Sequence, residues 1–173
     1  MGQTITSVAA SSVSINNTAY QTLFTYSVPA NTLKGPVGQR LWLSLIGEIL
    51  NNSGADRTYT LLASLGGTTI AEDALAAMPT SATRRFFSID VDISWSASAS
   101  QASRVTIAVG PATAPTVGQT GDWAGTNFLD PSSITLGTTV DTSSAATLLV
   151  QIKSDNNTAT QTFIVRGASL ELR

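Results

Sequence analysis

Asp90 and Asp92 come closest in this chain to a pair that could do chemistry. They lie two apart in the run RRFFSIDVDISW, residues 84–95, so on a strand they share a face about 7 Å apart. Paired carboxylates can serve glycoside hydrolysis or hold calcium. Their alternation with Ile and Val is also what a solvated strand face produces, and that plainer reading is preferred. Glu72 and Asp73 follow Gly66-Gly67, but no D-x-D-x-D run supplies a calcium loop. Asp122-Trp123, with Phe128 beyond it, could stack on a sugar, anchor a partner or fold back onto the core. Arg84-Arg85 is the one adjacent basic pair. It could open a strand in solvent or bridge to a carboxylate of a second subunit. Asn16, Asn51 and Asn156 begin Asn-x-Ser/Thr patterns, which suit turns as well as glycan attachment.

The missing residue types exclude more than the present ones suggest. The chain has 173 residues with no Cys and no His. Disulfides, thiolate nucleophiles and His-dependent triads or metal sites are therefore ruled out. No Ser or Thr has an imidazole to activate it. No phosphate loop or dinucleotide fingerprint occurs, so no catalytic residue, metal or cofactor is expected. Net charge is −2, and the basic residues are scattered, which argues against nucleic acid as a partner. Charged residues make up 12%, about half the usual share, leaving a neutral, Ser/Thr-rich surface with little self-repulsion. No apolar run is long enough to span a membrane as a helix. The first residues lack the basic and apolar regions of a signal peptide. Gly2 and Thr6 fit the short myristoylation pattern, but no basic patch adds a second membrane signal. No membrane partner is expected.

The elements that must position these residues are strands. Phe87, Ile89, Val91, Ile93 and Trp95 alternate with Phe86, Ser88, Asp90, Asp92 and Ser94. The same period appears at Tyr20, Thr22, Phe24, Tyr26 and Val28, and again at Tyr59–Leu65, Val105–Val109 and Leu148–Ile152. Eight strands are predicted, over 20–28, 40–50, 57–65, 68–73, 85–95, 103–110, 147–154 and 161–172. Pro29-Ala30-Asn31 and Gly35-Pro36 break the first connection. Asn51 to Gly54, Gly66-Gly67 and Asp155 to Asn157 are expected to close hairpins. In the last strand, Phe163 and Val165 are odd-numbered while Leu170 and Leu172 are even-numbered, so a bulge is expected near Gly167. Ala71 to Met78 is the one helix-like window.

Strands at this spacing imply an all-β fold, an antiparallel β-sandwich of jelly-roll type. The length suits one domain. Residues 1–18 are expected to form an N-terminal arm that can be flexible. Residues 19–173 are expected to form the sandwich, with a long loop at 110–133. The strand LWLSLIGEIL is apolar on both faces: Leu41, Leu43, Leu45 and Ile49 on one, Trp42, Ile46 and Leu50 on the other. A strand apolar on both sides is covered on both sides. The cover could be a loop of the same chain or a second subunit.

The order of motifs also carries a resemblance. FTYSVPANTL at 24–33 is followed by LWLSLIGEILNNSGADRTYTL at 41–61, GGTTI at 66–70 and RRFFSIDVDI at 84–93. This resembles small β-rich structural proteins of tailed bacteriophages over roughly residues 20–110. The resemblance implies a virion-surface protein made in the host cytoplasm, with residues 1–18 as an arm that contacts the capsid if it is not flexible. It implies a homotrimer that decorates and cements the head by contacting the major capsid protein or another virion protein. On that reading Trp42, Ile46, Leu50, Arg84 and Arg85 form a subunit interface, and Asp122, Trp123 and Phe128 contact a partner or a glycan. Two alternatives stay open: a receptor-binding or fibre domain gripping host glycans, and a carbohydrate-binding module.

Overall fold

The computed structural model describes residues 3–8, 11–15, 18–31, 39–75, 77–97, 100–110, 128–138, 140–158 and 160–173. Among them are eleven strands: β1 (Gln3–Val8), β2 (Ser11–Ser14), β3 (Gln21–Val28), β4 (Arg40–Asn51), β5 (Tyr59–Leu65), β6 (Thr68–Ala74), β7 (Arg85–Ala97), β8 (Ser100–Val109), β9 (Phe128–Thr138), β10 (Ala146–Ser154) and β11 (Gln161–Leu172). They form two antiparallel sheets. The larger runs β1-β11-β4-β7-β8-β9, with β2 also on β11, and the smaller runs β3-β10-β5-β6.

This order is a jelly roll. Take β1 and β2 as one broken first strand and set the β8–β9 hairpin aside. The larger sheet then holds strands one, eight, three and six, and the smaller holds two, seven, four and five. That interleaving is the double Greek key of the fold. The β8–β9 hairpin is an insertion that widens the larger sheet.

The inner faces meet in one core. Leu41, Leu43, Leu45, Ile89, Val91 and Ile93 from the larger sheet face Leu61, Leu65, Leu148, Val150 and Ile152 from the smaller. Phe163 lies at its centre, edge-on to Tyr59 at 5.7 Å and tilted against Phe87 at 5.2 Å. Burial of the Tyr59 phenol raises its pKa. The expected bulge is present: β11 shifts register against β4 between Val165 and Gly167. That one-residue slip lets Phe163 and Leu170 face the same core.

Several expectations change. Asn51–Gly54 and Asp155–Asn157 close no hairpin, because β4 and β11 lie in the larger sheet and β5 and β10 in the smaller. Both segments cross between sheets and clasp each other, through Asn52 N–H to Thr160 O (3.1 Å) and Asp155 N–H to Thr58 O (3.0 Å). Asn51 itself is buried. Its amide donates to Ala55 O and Met78 O and its oxygen accepts from Ser53, so it is turn chemistry rather than an accessible acceptor. Gly66-Gly67 does close a two-residue hairpin, with both glycines at positive φ (57° and 80°) as a type I′ turn requires.

The helix-like window 71–78 is strand to Ala74, and Met78 forms a bridge with Arg57. Helix propensity is a weak prior over so short a span, and pairing with β5 satisfies the backbone while burying Ala71, Leu75 and Met78. In β3 the alternation breaks at a bulge, so Leu23 is buried beside Phe24 while Thr22 faces out. Residues 3–8 and 11–14, expected as an arm, pair with β11 and cover what would be an open edge. The predicted loop at 110–133 ends earlier, since β9 begins at Phe128.

Gln101 is a buried clasp that the sequence does not announce. Its side chain donates to Val140 O (3.1 Å) and accepts from Val140 N–H (2.9 Å), tying the β9–β10 connection to β8. Gln101→Leu should cost about 2–4 kcal/mol, because two buried backbone groups lose their partner at once. Urea unfolding of the variant measures it, and a loss below about 0.5 kcal/mol would show that water replaces the amide.

Candidate functional site

The outer face of the larger sheet gathers most of the residues singled out from the sequence. On β4 the side chains of Trp42, Ser44, Ile46, Glu48 and Leu50 point outward while Leu41, Leu43, Leu45 and Ile49 point into the core. Trp42, Ile46 and Leu50 therefore share a face, as expected. Ile46 is 54% exposed.

Register places its neighbours. Ile46 stands opposite Ser88 on β7, and Glu48 opposite Phe86. Phe86 is thus the diagonal neighbour of Ile46, roughly 7–8 Å away by strand geometry. It is 64% exposed, and these two are the exposed large hydrophobic residues among those described. Charges border them. Arg166 donates to Glu48 at 3.0 Å, and Arg84 approaches Glu48 at 4.0 Å while donating to Thr162 Oγ1 at 3.0 Å. Exposed pairs of this kind contribute about 0–1 kcal/mol each and mainly fix side-chain positions.

Arg85 does not belong to this face. Alternation turns it inward beside Phe87, it is buried, and desolvation lowers its pKa. It cannot meet a second subunit without refolding β7. Asp122 and Trp123 lie outside the described residues, as does Asn16. Phe128 begins β9, paired to Val109, and its side chain lies outside the described set.

About 13 Å along β4 from Ile46 the face becomes polar around Trp42. The row across the strands there is Glu171, Trp42, Asp92, Arg104. Arg173 lies over the indole at 4.0 Å and donates to Glu171 at 2.9 Å. Arg40 donates to both Asp92 carboxylate oxygens through two of its guanidinium nitrogens, Nε at 3.1 Å and Nη2. Trp42 separates two hollows. One, about 260 Å³, is lined by Asp90, Asp92, Arg104 and Thr106. The other, about 400 Å³, lies over the β11 bulge between Ser44, Ile46, Gly167, Ser169 and Glu171. Asp90 and Asp92 are thus on one outer face, with Asp92 engaged by Arg40.

The smaller sheet offers a simpler outer face. Tyr20 donates to Glu72 at 2.6 Å, and Lys153 lies over its ring at 4.3 Å. Partial burial, that hydrogen bond and the charge of Glu72 push the Tyr20 pKa up to about 12.

Sequence reasoning did not single out Phe86, Arg40, Arg104, Thr106 or Arg173. Phe86 did leave a signal, as an aromatic on the polar side of a strictly alternating strand. The others become neighbours only through strand order.

No family model matches the chain, and no curated protein matches it. Among solved structures, the CBM2 module of the evolved Dit of Lactobacillus casei BL23 phage J-1 is similar at 8% identity and TM-score 0.39, over 85% of this chain and 67% of that one. An infectious bursal disease virus Gt strain structure is similar at 17% identity and TM-score 0.34, over 99% of this chain and 42% of that one. The infectious bursal disease virus VP2 subviral particle gives 14% identity and TM-score 0.31, over 99% and 40%. The chain spans about two fifths of those bursal disease virus chains. At these TM-scores no function is transferred from them.

Proposed function

We propose that this chain is a non-enzymatic structural protein of a bacteriophage virion. In this reading it is a homotrimeric decoration protein that cements the head and is displayed on the virion surface. The observation that carries the reading is the Ile46–Phe86 pair, two large apolar side chains held outward as diagonal neighbours on the larger sheet. A second copy of the chain is the occupant that suits this patch. The surrounding charges carry both signs, Glu48 against Arg84 and Arg166, so copies of the patch arranged around a threefold axis can set opposite charges side by side. Net charge of −2 opposes association only weakly. The turn and strand motifs at 24–93 add their resemblance to phage structural proteins.

In a trimer the Ile46–Phe86 patch forms the buried centre and the ion pairs its rim. Leu50, beside Thr162 on β11, continues it. The head would be reached from the surfaces left free. Gold-labelled antibody against the protein tests the assignment on phage particles from the producing culture. Label over heads is the expected result. Label confined to tail tips would overturn the decoration role in favour of a fibre, and unlabelled particles would overturn the virion reading.

A further inference from the structure

We infer that the surface around Trp42 is a binding site for a neutral, polyhydroxylated sugar chain. The hollow that holds Asp90, Arg104 and Thr106 lies clear of the Ile46–Phe86 patch, the other reaches Ile46 at its edge, and the inference does not depend on which virion surface carries the protein. Three features define the ligand class. The first is shape: two shallow hollows, each of a size to receive a small ring, lie on either side of one aromatic side chain, Trp42. A groove straddling a tryptophan suits a chain of rings lying across a sheet better than a compact ligand.

The second is charge. Around Trp42 stand Asp90, Asp92 and Glu171, and against them Arg40, Arg104 and Arg173. The signs balance. An anionic ligand would meet the carboxylates, and a cationic one the guanidinium groups. A neutral ligand with many hydroxyls can accept from Arg104 and donate to Asp90 without an uncompensated charge.

The third is availability. Within the described residues no hydrogen bond or ion pair engages the side chains of Asp90, Arg104 or Thr106, although all three line one hollow with Trp42. Arg40 occupies Asp92, and Arg173 lies on the indole. Those contacts hold Trp42 and Asp92 in place and leave Asp90, Arg104 and Thr106 for a ligand. Arg173 covers one face of the indole, so the apolar ring face of a sugar meets the part of Trp42 that lines the hollows, with its hydroxyls directed at Asp90, Arg104 and Thr106.

A glycan array of neutral hexose and deoxyhexose oligosaccharides beside sialylated and sulfated ones tests this first. The best-bound neutral oligosaccharide then goes to titration calorimetry, which reports a per-site Kd. Trp42→Ala should weaken binding at least about tenfold. Asp90→Ala, on the strand surface and without a partner to lose, should weaken it about five- to tenfold. Circular dichroism checks that each variant is folded, and Asp90→Ala keeps the test decisive if Trp42→Ala is not. Phe86→Ser, outside the hollows, should leave the per-site Kd unchanged even where it alters the mass of the protein in solution. Three results would overturn the site: no neutral glycan bound, preferential binding of sulfated or sialylated glycans, or wild-type affinity in folded Trp42→Ala and Asp90→Ala.

Discussion

Gly47→Ala is expected to remove at least about 3 kcal/mol of stability, a large part of the roughly 5–15 kcal/mol that holds a domain of this size folded. Gly47 lies on the inner face of β4, opposite Phe87 on β7 and Val165 on β11. A Cβ there would collide with the Ile164 carbonyl oxygen and stand 2.7 Å from Phe87 Cζ and 2.8 Å from Cε1. Neither obstacle is a flexible tip. The carbonyl belongs to the β4–β11 ladder, and the Phe87 ring is held by Phe163. Relief requires the ladder to open beside its bulge or the aromatic cluster to repack. Glycine in a strand interior ordinarily weakens it; here it makes room for a ring on the neighbouring strand. Urea unfolding measures the loss. A change below about 0.5 kcal/mol would mean that the ring and the ladder yield freely. Ser44→Ala, on the outer face of the same strand, should stay within about 0.5 kcal/mol and controls for the strand itself.

Ile46→Asp is expected to do the opposite: to leave the fold intact and abolish assembly. The side chain is 54% exposed in the single chain, so replacing it removes little from the core. In a trimer it would be buried against a second copy. An aspartate at the centre of each contact would be desolvated without a partner, close to Glu48, and would cost roughly 2–4 kcal/mol per contact. That is about 30- to 1,000-fold in association at each interface. Light scattering on a sizing column should show monomer, with an unchanged thermal transition for the isolated subunit. A variant that keeps the wild-type mass would show that this patch is not the interface. The adjacent positions of Ile46 and Gly47 let folding and assembly be tested apart: residue 47 faces the core and residue 46 faces outward.

The sandwich was legible because its central strands carry strict alternation. β4, β5, β7, β8, β10 and β11 each carry a run of apolar side chains at alternate positions over most of their length, and one buried face fixes their register. The strands that escaped are at edges. β9 contains Pro131 within a register shift between Val105 and Ile107, a placement an edge strand tolerates and a sequence pattern reads as a break. β1 and β2 are Ser/Thr-rich and short. The crossovers at Asn51 and Asp155 carry the same Asn, Asp, Ser and Gly that close hairpins, so turn chemistry alone does not say whether the chain returns in its own sheet or passes to the other.

The candidate site was legible along one strand and not across strands. The second apolar face of LWLSLIGEIL exposed Trp42, Ile46 and Leu50 as a set. Nothing in the order of residues brings Phe86 beside Ile46, or Arg104, Thr106 and Arg173 beside Trp42. Those neighbours follow from β4 lying between β7 and β11, a consequence of the jelly-roll winding rather than of any local motif. Arg84 and Arg85 show the converse: adjacent residues on a strand point to opposite sides, so one reaches Glu48 and the other is buried.

The most direct test of assembly through the larger sheet is the mass of the purified protein by light scattering across a dilution series. The proposed trimer predicts a species near three times 17.9 kDa that persists on dilution and is lost in Ile46→Asp. A wild-type protein that runs at 17.9 kDa throughout, with Ile46 and Phe86 left in water, would contradict it.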